Sequence, residues 1–281
     1  MSKVWFVTGA SAGIGAGVVK AALAAGDRVV ATARNVEKLR TAVGQPEGDR
    51  LAFVRLDVTS EAQARQAVAA AVEKLGRIDV LVNNAGYSLL GNFESLTQAQ
   101  LEQQVATNFW GVVHVLRAAL PVMRRQGAGH VFNLSSMAGV IGYGTASAYA
   151  AAKFALEGLS LSVAQEVARF GIKVTLVEPG FFRTDLLAPQ SSVFGELEVE
   201  GYDAPAAVKA QWQAYHHKQA GDPFKLGQAL VRLAGMAVTP KQFYAGSDAV
   251  AGITADLKAR LTEVEAHQAL SASTDGTYRD P

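Results

Sequence analysis

The chain contains no cysteine. That absence excludes disulfide frameworks, thiol nucleophiles and cysteine-ligated metals, while leaving the compartment open. Charge of one sign is also missing: 26 Lys and Arg stand against 25 Asp and Glu, a formal net charge of +1. Neither a nucleic-acid groove nor a polybasic membrane patch is expected, although single Arg residues remain free to hold a phosphate. No apolar run reaches transmembrane length. Met1-Ser2-Lys3 runs straight into Val4-Trp5-Phe6-Val7, without the charged-then-apolar order of a secretory leader. The expectation is a cytoplasmic protein with no membrane span.

What is present is 281 residues, 49% hydrophobic and 18% charged, a globular composition that suits a single domain over residues 1–281. Short apolar runs alternate with Ala-rich, helix-length stretches. The runs are Val4–Thr8, Arg28–Thr32, Leu51–Leu56, Val80–Asn83, His130–Leu134 and Lys173–Val177. Each is nearly continuous in apolar character, as parallel strands covered on both faces require. Helices are predicted over Ala16–Ala25, Glu61–Leu75, Leu101–Arg125 and Ser147–Phe170, the last stopped by Gly171. The fold class that follows is α/β: a Rossmann-type doubly wound parallel sheet with helices on both faces. After Pro179-Gly180 the pattern loosens, and residues 186–225 read as a substrate-covering insertion after the sixth strand, more helical around Val208–His217. A C-terminal helix is predicted over 247–270, capped by Ser247, with a mobile tail over 271–281.

Between the first strand and the first helix lies Thr8-Gly9-Ala10-Ser11-Ala12-Gly13-Ile14-Gly15. Glycines there let the chain turn sharply and let phosphate oxygens approach its backbone, with the next helix offering free N–H groups. No Lys follows the loop as in a P-loop, which argues against ATP or GTP. A bare strand-to-helix turn is the plain alternative. The second strand ends in Ala33-Arg34. An NAD site places an acid there, whereas an NADP site uses Arg for the extra phosphate. NADP(H) is therefore the preferred cofactor. NAD(H) stays open, because Arg34 is the sole basic residue at this site and the position before Gly13 is Ala12.

Tyr149 and Lys153 stand four apart in one predicted helix and so share a face. A phenol is a poor proton donor or acceptor at neutral pH until tuned, and a nearby ammonium favours its ionised form. The spacing alone is common on helices. Here it occurs in order with Thr8–Gly15, Asp57-Val58, Asn83-Asn84-Ala85-Gly86, Asn108, Ser136 and Pro179-Gly180-x3-Thr184. Over roughly residues 3–186 this set resembles the short-chain dehydrogenase/reductase superfamily, in its compact single-domain branch. Val177–Thr184 further resembles the subgroup of 17β-hydroxysteroid and retinol dehydrogenase-like enzymes.

The resemblance implies roles. Tyr149 exchanges a proton with the substrate oxygen, and Lys153 lowers its pKa and binds the nicotinamide ribose. Ser136 bonds the substrate oxygen; Ser135 competes for that role, but only Ser136 has the family's separation of thirteen from Tyr149. Asn108 holds a water that links Lys153 to solvent. Gly9, Ser11, Gly13, Ile14 and Gly15 take the pyrophosphate, Asp57 and Val58 flank adenine, and Asn84, Ala85 and Gly86 line the cofactor. Pro179, Gly180 and Thr184 meet the carboxamide. Taken singly, several have plainer readings: Asp57 as a helix cap, Asn83-Asn84 as a strand-end turn, Asn108 as a helix amide bonded to backbone, and Ser136 as a cap or turn hydroxyl.

The implied function is interconversion of a carbonyl and an alcohol on a small hydrophobic substrate. The stretches expected to border its pocket hold Leu89, Leu90, Phe93, Met137, Val140, Ile141 and Tyr143. Phe181, Phe182, Phe194, Tyr202, Trp212 and Tyr215 join them from in or near the insertion. No metal site is expected: adjacent His216 and His217 on a helix point to different faces. The helix over Leu101–Arg125 is apolar on more than one side, and in relatives it and the Tyr/Lys helix form the contact of a homodimer or homotetramer. Two other functions compete: a non-catalytic NADPH-binding regulatory module, and a nucleotide-sugar epimerase or dehydratase. Intact Tyr149, Lys153, Ser136 and Asn108 weigh against the first. The glycine spacing and the lack of a substantial C-terminal substrate domain weigh against the second.

Overall fold

The structure is a computed structural model that describes residues 2–187 and 192–276. Residues 188–191 of the predicted insertion and 277–281 of the predicted tail lie outside the described residues.

Seven parallel strands form the main sheet: β1 (Val4–Val7), β2 (Arg28–Ala33), β3 (Leu51–Arg55), β4 (Val80–Asn83), β6 (Gly129–Leu134), β7 (Ile172–Pro179) and β9 (Gln242–Ala245). Their order is β3-β2-β1-β4-β6-β7-β9, so the winding reverses between β1 and β4. In an open sheet of this kind, ligands bind at that reversal, outside the carboxyl ends of the strands. A separate two-stranded ribbon pairs β5 (Leu89–Leu90) with β8 (Val193–Phe194), also in parallel.

The helices are α1 (Gly13–Ala24), α2 (Val36–Val43), α3 (Glu61–Leu75), α4 (Gln98–Val105), α5 (Gly111–Gln126), α6 (Ser147–Val167), α7 (Pro205–Gln213), α8 (Pro223–Gly235) and α9 (Ser247–Ala272). Strand alternation decides which of them cover which face. Val4 and Phe6 point into one core, with Val68 of α3, Leu116 of α5 and Leu156 of α6. Trp5 and Val7 point into the other, with Val18 of α1, Leu39 of α2 and Leu230 of α8. All four β1 side chains are buried, which explains a run with no polar partner in alternation. Each such side chain contributes roughly 1.5–3 kcal/mol when fully taken from water.

The expected strands and helices are present with shifted ends. α1 starts at Gly13, three residues before the expected Ala16, because the glycine motif itself forms its first turn. α6 ends at Val167, and a 3-10 turn over Ala168–Phe170 leads to the predicted Gly171 stop, at φ +70°. The helix predicted over Leu101–Arg125 is a 29-residue rod from Gln98 to Gln126, interrupted by a π-helical turn at Ala106–Trp110. By length and composition that rod could cross a membrane. Its inner face joins the sheet core, and Gln104 and Asn108 are buried with their amides bonded to backbone at 87 and 89.

Ser247 is not the cap of α9. Gly246 holds that position and no side chain caps the helix, since Ser247 is already its first helical residue. The helix continues to Ala272, so the expected tail begins later.

Candidate active site

The carboxyl ends of the central strands open into one cleft of about 1070 Å³. Its first half is built by the glycine loop and the turn after β4. Gly9 adopts φ +64°, and a Cβ there would lie 2.7 Å from Ala85 Cα. A Cβ on Gly15 would lie 2.5 Å from Asn84 Nδ2. The two turns are joined by hydrogen bonds: Thr8 Oγ1 accepts from the N–H groups of Asn84 (2.9 Å) and Ala85 (3.1 Å), while Asn84 Nδ2 donates to the carbonyls of Thr8 (3.0 Å) and Gly9 (3.1 Å). Asn84 thus holds the loop's shape. Helix α1 starts here with Ala12 at its cap position and no side chain bonded to its first N–H groups. Those groups and the positive end of the helix face a cleft lined by Gly9, Ser11, Gly13 and Ile14, which is how a protein prepares a seat for an anion.

Arg34 is exposed on the cleft wall, and its side chain makes no ion pair or hydrogen bond among the described residues. Asp57 and Val58 line the same end. Ser60 caps α3, so Asp57 is not a helix cap: its Oδ1 accepts from Thr59 N–H at 3.0 Å and from Thr59 Oγ1 at 2.8 Å.

The second half carries the titratable groups. α6 brings Tyr149 and Lys153 to the cleft beside Ser136, which follows β6. Lys153 Nζ donates to the Leu134 carbonyl at 2.7 Å and stands 5.6 Å from the centroid of the Tyr149 ring. The sequence reading has the ammonium lowering the phenol. In the structure burial dominates and raises the Tyr149 phenol above its ordinary value, with the Ser136 hydrogen bond opposing. Burial also pushes Lys153 down to about 8, and the Glu157 carboxylate, one turn along α6, opposes that. Ser136 Oγ accepts from Ala138 N–H at 3.1 Å as the cap of a short 3-10 turn, and its hydroxyl stays on the cleft. Ser135 is buried with its hydroxyl beside Glu157, since both occupy the space that a Cβ on Gly139 would need.

Asn108 lies in the π-helical turn, buried, where such turns often mark functional sites. Its Nδ2 donates to the Tyr87 carbonyl (2.9 Å) and its Oδ1 accepts from Tyr87 N–H (3.2 Å). The side chain therefore holds the strand-end loop, which is the plainer of the two sequence readings. Pro179 ends β7; Gly180 N–H donates to the Ala245 carbonyl, and Thr184 packs its methyl near Gly13.

Apolar side chains also line the cleft, among polar ones such as Gln100, Gln103, Glu196 and Gln219. Leu90, Met137, Tyr143, Phe181, Phe182 and Trp212 line the cleft as predicted. Leu89 does not, because adjacent strand residues point to opposite sides and it enters a core with Leu96 and Ala148. Val140 is buried against Ala249 and Ile253 of α9, with Ile141 packed on the same cluster. Phe194 packs away from the cleft beside Leu90 and Leu187. Phe93 faces solvent, exposed Tyr202 donates to Glu94, and Tyr215 stacks on Phe181 outside the wall. His216 and His217 lie past the end of α7, not on it, and their rings lie tilted against each other with centroids 3.8 Å apart.

A sequence profile described as short chain dehydrogenase matches residues 3–193. The chain belongs to the short-chain dehydrogenase/reductase family. As a member it is an oxidoreductase on an α/β Rossmann-type sheet, and the family works with NAD(P)(H). This short-chain dehydrogenase/reductase is 41% identical over 251 residues to Oxidoreductase BOA17 of Botryotinia fuckeliana, covering 89% of this chain and 91% of the relative. It is 39% identical over 186 residues to the 3-ketodihydrosphingosine reductase of Bacteroides thetaiotaomicron, covering 65% of each. A short-chain dehydrogenase structure from Streptomyces avermitilis superposes with a TM-score of 0.88 at 39% identity, over 98% of this chain and 100% of that one.

Sequence reasoning missed several groups of this dehydrogenase/reductase. Asp248 Oδ2 accepts from Phe181 N–H at 2.7 Å and so fixes the turn after β7. Trp212 Nε1 donates to Thr145 Oγ1 at 2.9 Å, tying the insertion to the loop before α6. Glu157 and Glu178 form a buried acid pair behind Lys153, with Gln242 Nε2 3.5 Å from Glu157 Oε2 and donating to Glu178 Oε1 at 3.1 Å. Burial pushes Glu178 up to about 8, helped by the Glu157 carboxylate, and pushes Glu157 up to about 6. A signal for Glu178 was present: it interrupts an apolar strand covered on both faces.

Proposed function

We propose that the enzyme is NADP(H)-dependent and interconverts a hydrophobic ketone or aldehyde with its alcohol, Tyr149 serving as general acid and base. The carrying observation is the convergence of Ser136, Tyr149 and Lys153 in one cleft with apolar side chains such as Leu90 and Trp212 and with the glycine loop, flanked by an Arg34 that makes no ion pair among the described residues. The residues fit a dinucleotide. At Gly9 and Gly15 a Cβ would collide with the Asn84–Ala85 turn, and the uncapped start of α1 offers N–H groups to a pyrophosphate. Arg34 suits a ribose 2′-phosphate, since its planar fork matches that anion and no group among the described residues claims it. Asp57, Val58, Asn84, Ala85, Gly86, Pro179, Gly180 and Thr184 would border the cofactor. When bound, the nicotinamide supplies or accepts the hydride.

The chain's own part is proton handling and orientation. In reduction Tyr149 gives its proton to the carbonyl oxygen, and in oxidation it takes one from the alcohol. Ser136 donates to the same oxygen and stabilises its developing negative charge. Lys153 places a cation near the phenol ring, so the Tyr149 oxyanion left after reduction is formed beside positive charge. Asn108 shapes the loop at Tyr87, between these groups and the cofactor end.

The apolar wall of Leu90, Tyr143, Phe182 and Trp212 supports a hydrophobic substrate, as does the name of the Bacteroides reductase of a keto compound. The segment Val177–Thr184 supports the 17β-hydroxysteroid or retinol dehydrogenase-like subgroup. Exposed Val105, Trp110, Phe154 and Leu161 on the α4–α5 rod and α6 support a homodimer or homotetramer through that face.

The experiment is turnover of a panel of hydrophobic ketones and alcohols with NADPH or NADP, by the native enzyme and by Tyr149→Phe. The native chain turns over at least one compound. The variant loses roughly 100- to 10,000-fold in kcat while binding NADPH as before. Tight NADPH binding with no turnover across the panel would favour the regulatory module instead.

A further inference from the structure

The C-terminal helix α9 leaves the body of the protein. Its base is anchored: Ala249 and Ile253 are buried against Val140, and Arg260 pairs with Asp256 at 2.7 Å and donates to the Val140 carbonyl. From Leu257 to Ala272 every residue is exposed, and beyond the Arg260 tie about 18 Å of helix stands clear of the fold. A helix of this length gains little stability alone in water, and packing of an apolar face is what normally sustains one.

Part of this one is apolar along one side, with Leu270, 69% exposed, lying well off that side. At 100° per residue, Val250, Leu257, Leu261, Val264 and Gln268 fall within a stripe roughly 60° wide. Leu257 is 47% exposed, Leu261 58% and Val264 66%. Lys258 and Glu265 lie seven residues apart along one flank of the stripe, and neither makes an ion pair among the described residues.

We infer that α9 pairs with α9 of a second copy, antiparallel, about a two-fold axis at Leu261. In that register Leu261 meets its own counterpart and Leu257 meets Val264 of the other copy. Lys258 of each copy faces Glu265 of the other, so two ion pairs form. Thr254 lies opposite Gln268, a polar closure at each end. A parallel pairing would put the two Lys258–Glu265 flanks on opposite sides of the contact, where they cannot meet. Self-complementarity of both the apolar stripe and the charges is what a two-fold contact demands. It also favours a second copy over an unrelated helix. Arg260, near the axis, is already neutralised by Asp256. The contact is separate from the α4–α5 and α6 face and does not depend on it. At about four turns per helix it belongs to the small interfaces, and its association is reversible with concentration.

The test uses the full-length enzyme in sedimentation velocity over a range of concentrations. Leu261→Asp halves the mass of the largest assembly, whatever the other face contributes. Lys258→Glu and Glu265→Lys each weaken association about tenfold, and the two together restore it. Because the chain has no cysteine, Leu261→Cys places a single thiol on the axis. Mild oxidation then links the copies covalently, whereas Ala266→Cys on the opposite side of the helix does not. Equal crosslinking by both variants, an unchanged mass for Leu261→Asp, or no recovery in the double charge swap would each overturn the pairing.

Discussion

Replacing Glu178 by Gln should stabilise the enzyme in alkaline solution and leave it nearly unchanged in acid. Glu178 is fully buried on β7, beside Glu157, with Gln242 its one side-chain hydrogen-bond partner among the described residues. Its carboxyl ordinarily titrates near 4.5 and is pushed up to about 8, first by burial and then by the Glu157 carboxylate. Between those two values the native protein holds a proton that the unfolded chain has released. Its contribution is therefore fully present below pH 4.5 and is lost as pH rises through 8, at about 1.4 kcal/mol per pH unit. Over the whole window the native chain loses roughly 3–5 kcal/mol, against a total stability on the order of 5–15 kcal/mol. The amide introduced by Glu178→Gln cannot ionise, keeps an oxygen for Gln242, and can point its N–H groups at Glu157. The assay is urea unfolding of both proteins at half-unit steps from about pH 5 to 8.5, comparing midpoints at matched slope. The stability gap between Glu178→Gln and the native chain should widen steadily up to about pH 8 and then level off. A gap that stays constant would mean Glu178 is already charged in the fold, and the reasoning from burial would fail.

Arg34→Ala should weaken NADPH binding roughly 10- to 100-fold, the value of charge-assisted bonds to one phosphate, while NADH binding changes little. Fluorescence titration of both cofactors checks this, and parallel losses for the two would remove Arg34 from the 2′-phosphate. Gly9→Ala should cost about 1–2 kcal/mol for its left-handed backbone, more for the clash with Ala85, and should abolish cofactor binding in the same titration. Gly26→Ala is the control: at φ +87° it meets nothing within 4 Å, so it lowers the melting temperature without touching cofactor affinity.

Six of the seven sheet strands were legible, because each is a run of β-branched and apolar residues buried on both faces. The seventh, Gln242–Ala245, was not. It is a half-buried edge strand, and Gln-Phe-Tyr-Ala is too short and mixed to carry a period. The glycine loop, Ser136 and the Tyr149/Lys153 pair were legible as a set, and the cleft brings them together. What spacing could not convey was direction. Leu89 and Leu90 look alike in sequence, yet only one reaches the cleft. The phenol of Tyr149 was read through its lysine neighbour, whereas burial by residues distant in sequence governs it. Ser247 has the chemistry of a cap, but the helix begins one residue earlier than that reading needs, with Gly246 at φ +102° in the cap position and Ser247 already helical.

The insertion after β7 is fastened close to both its ends. Phe182 bridges to Gly221, where Arg183 N–H donates to the Gly221 carbonyl at 2.8 Å, and Val193–Phe194 pairs with Leu89–Leu90. These fastenings are made by main-chain groups, with Gly221 required at its place because a Cβ there would lie 2.6 Å from the Phe182 ring. The stretch between Gly195 and Gln219 can therefore be rewritten, or exchanged for another of different length, while these main-chain seams stay the same and only side-chain ties such as Trp212 to Thr145 are given up. Substrate range can drift through such exchanges without a matching change at the glycine loop, so the enzyme is built for diversification at one end and constancy at the other.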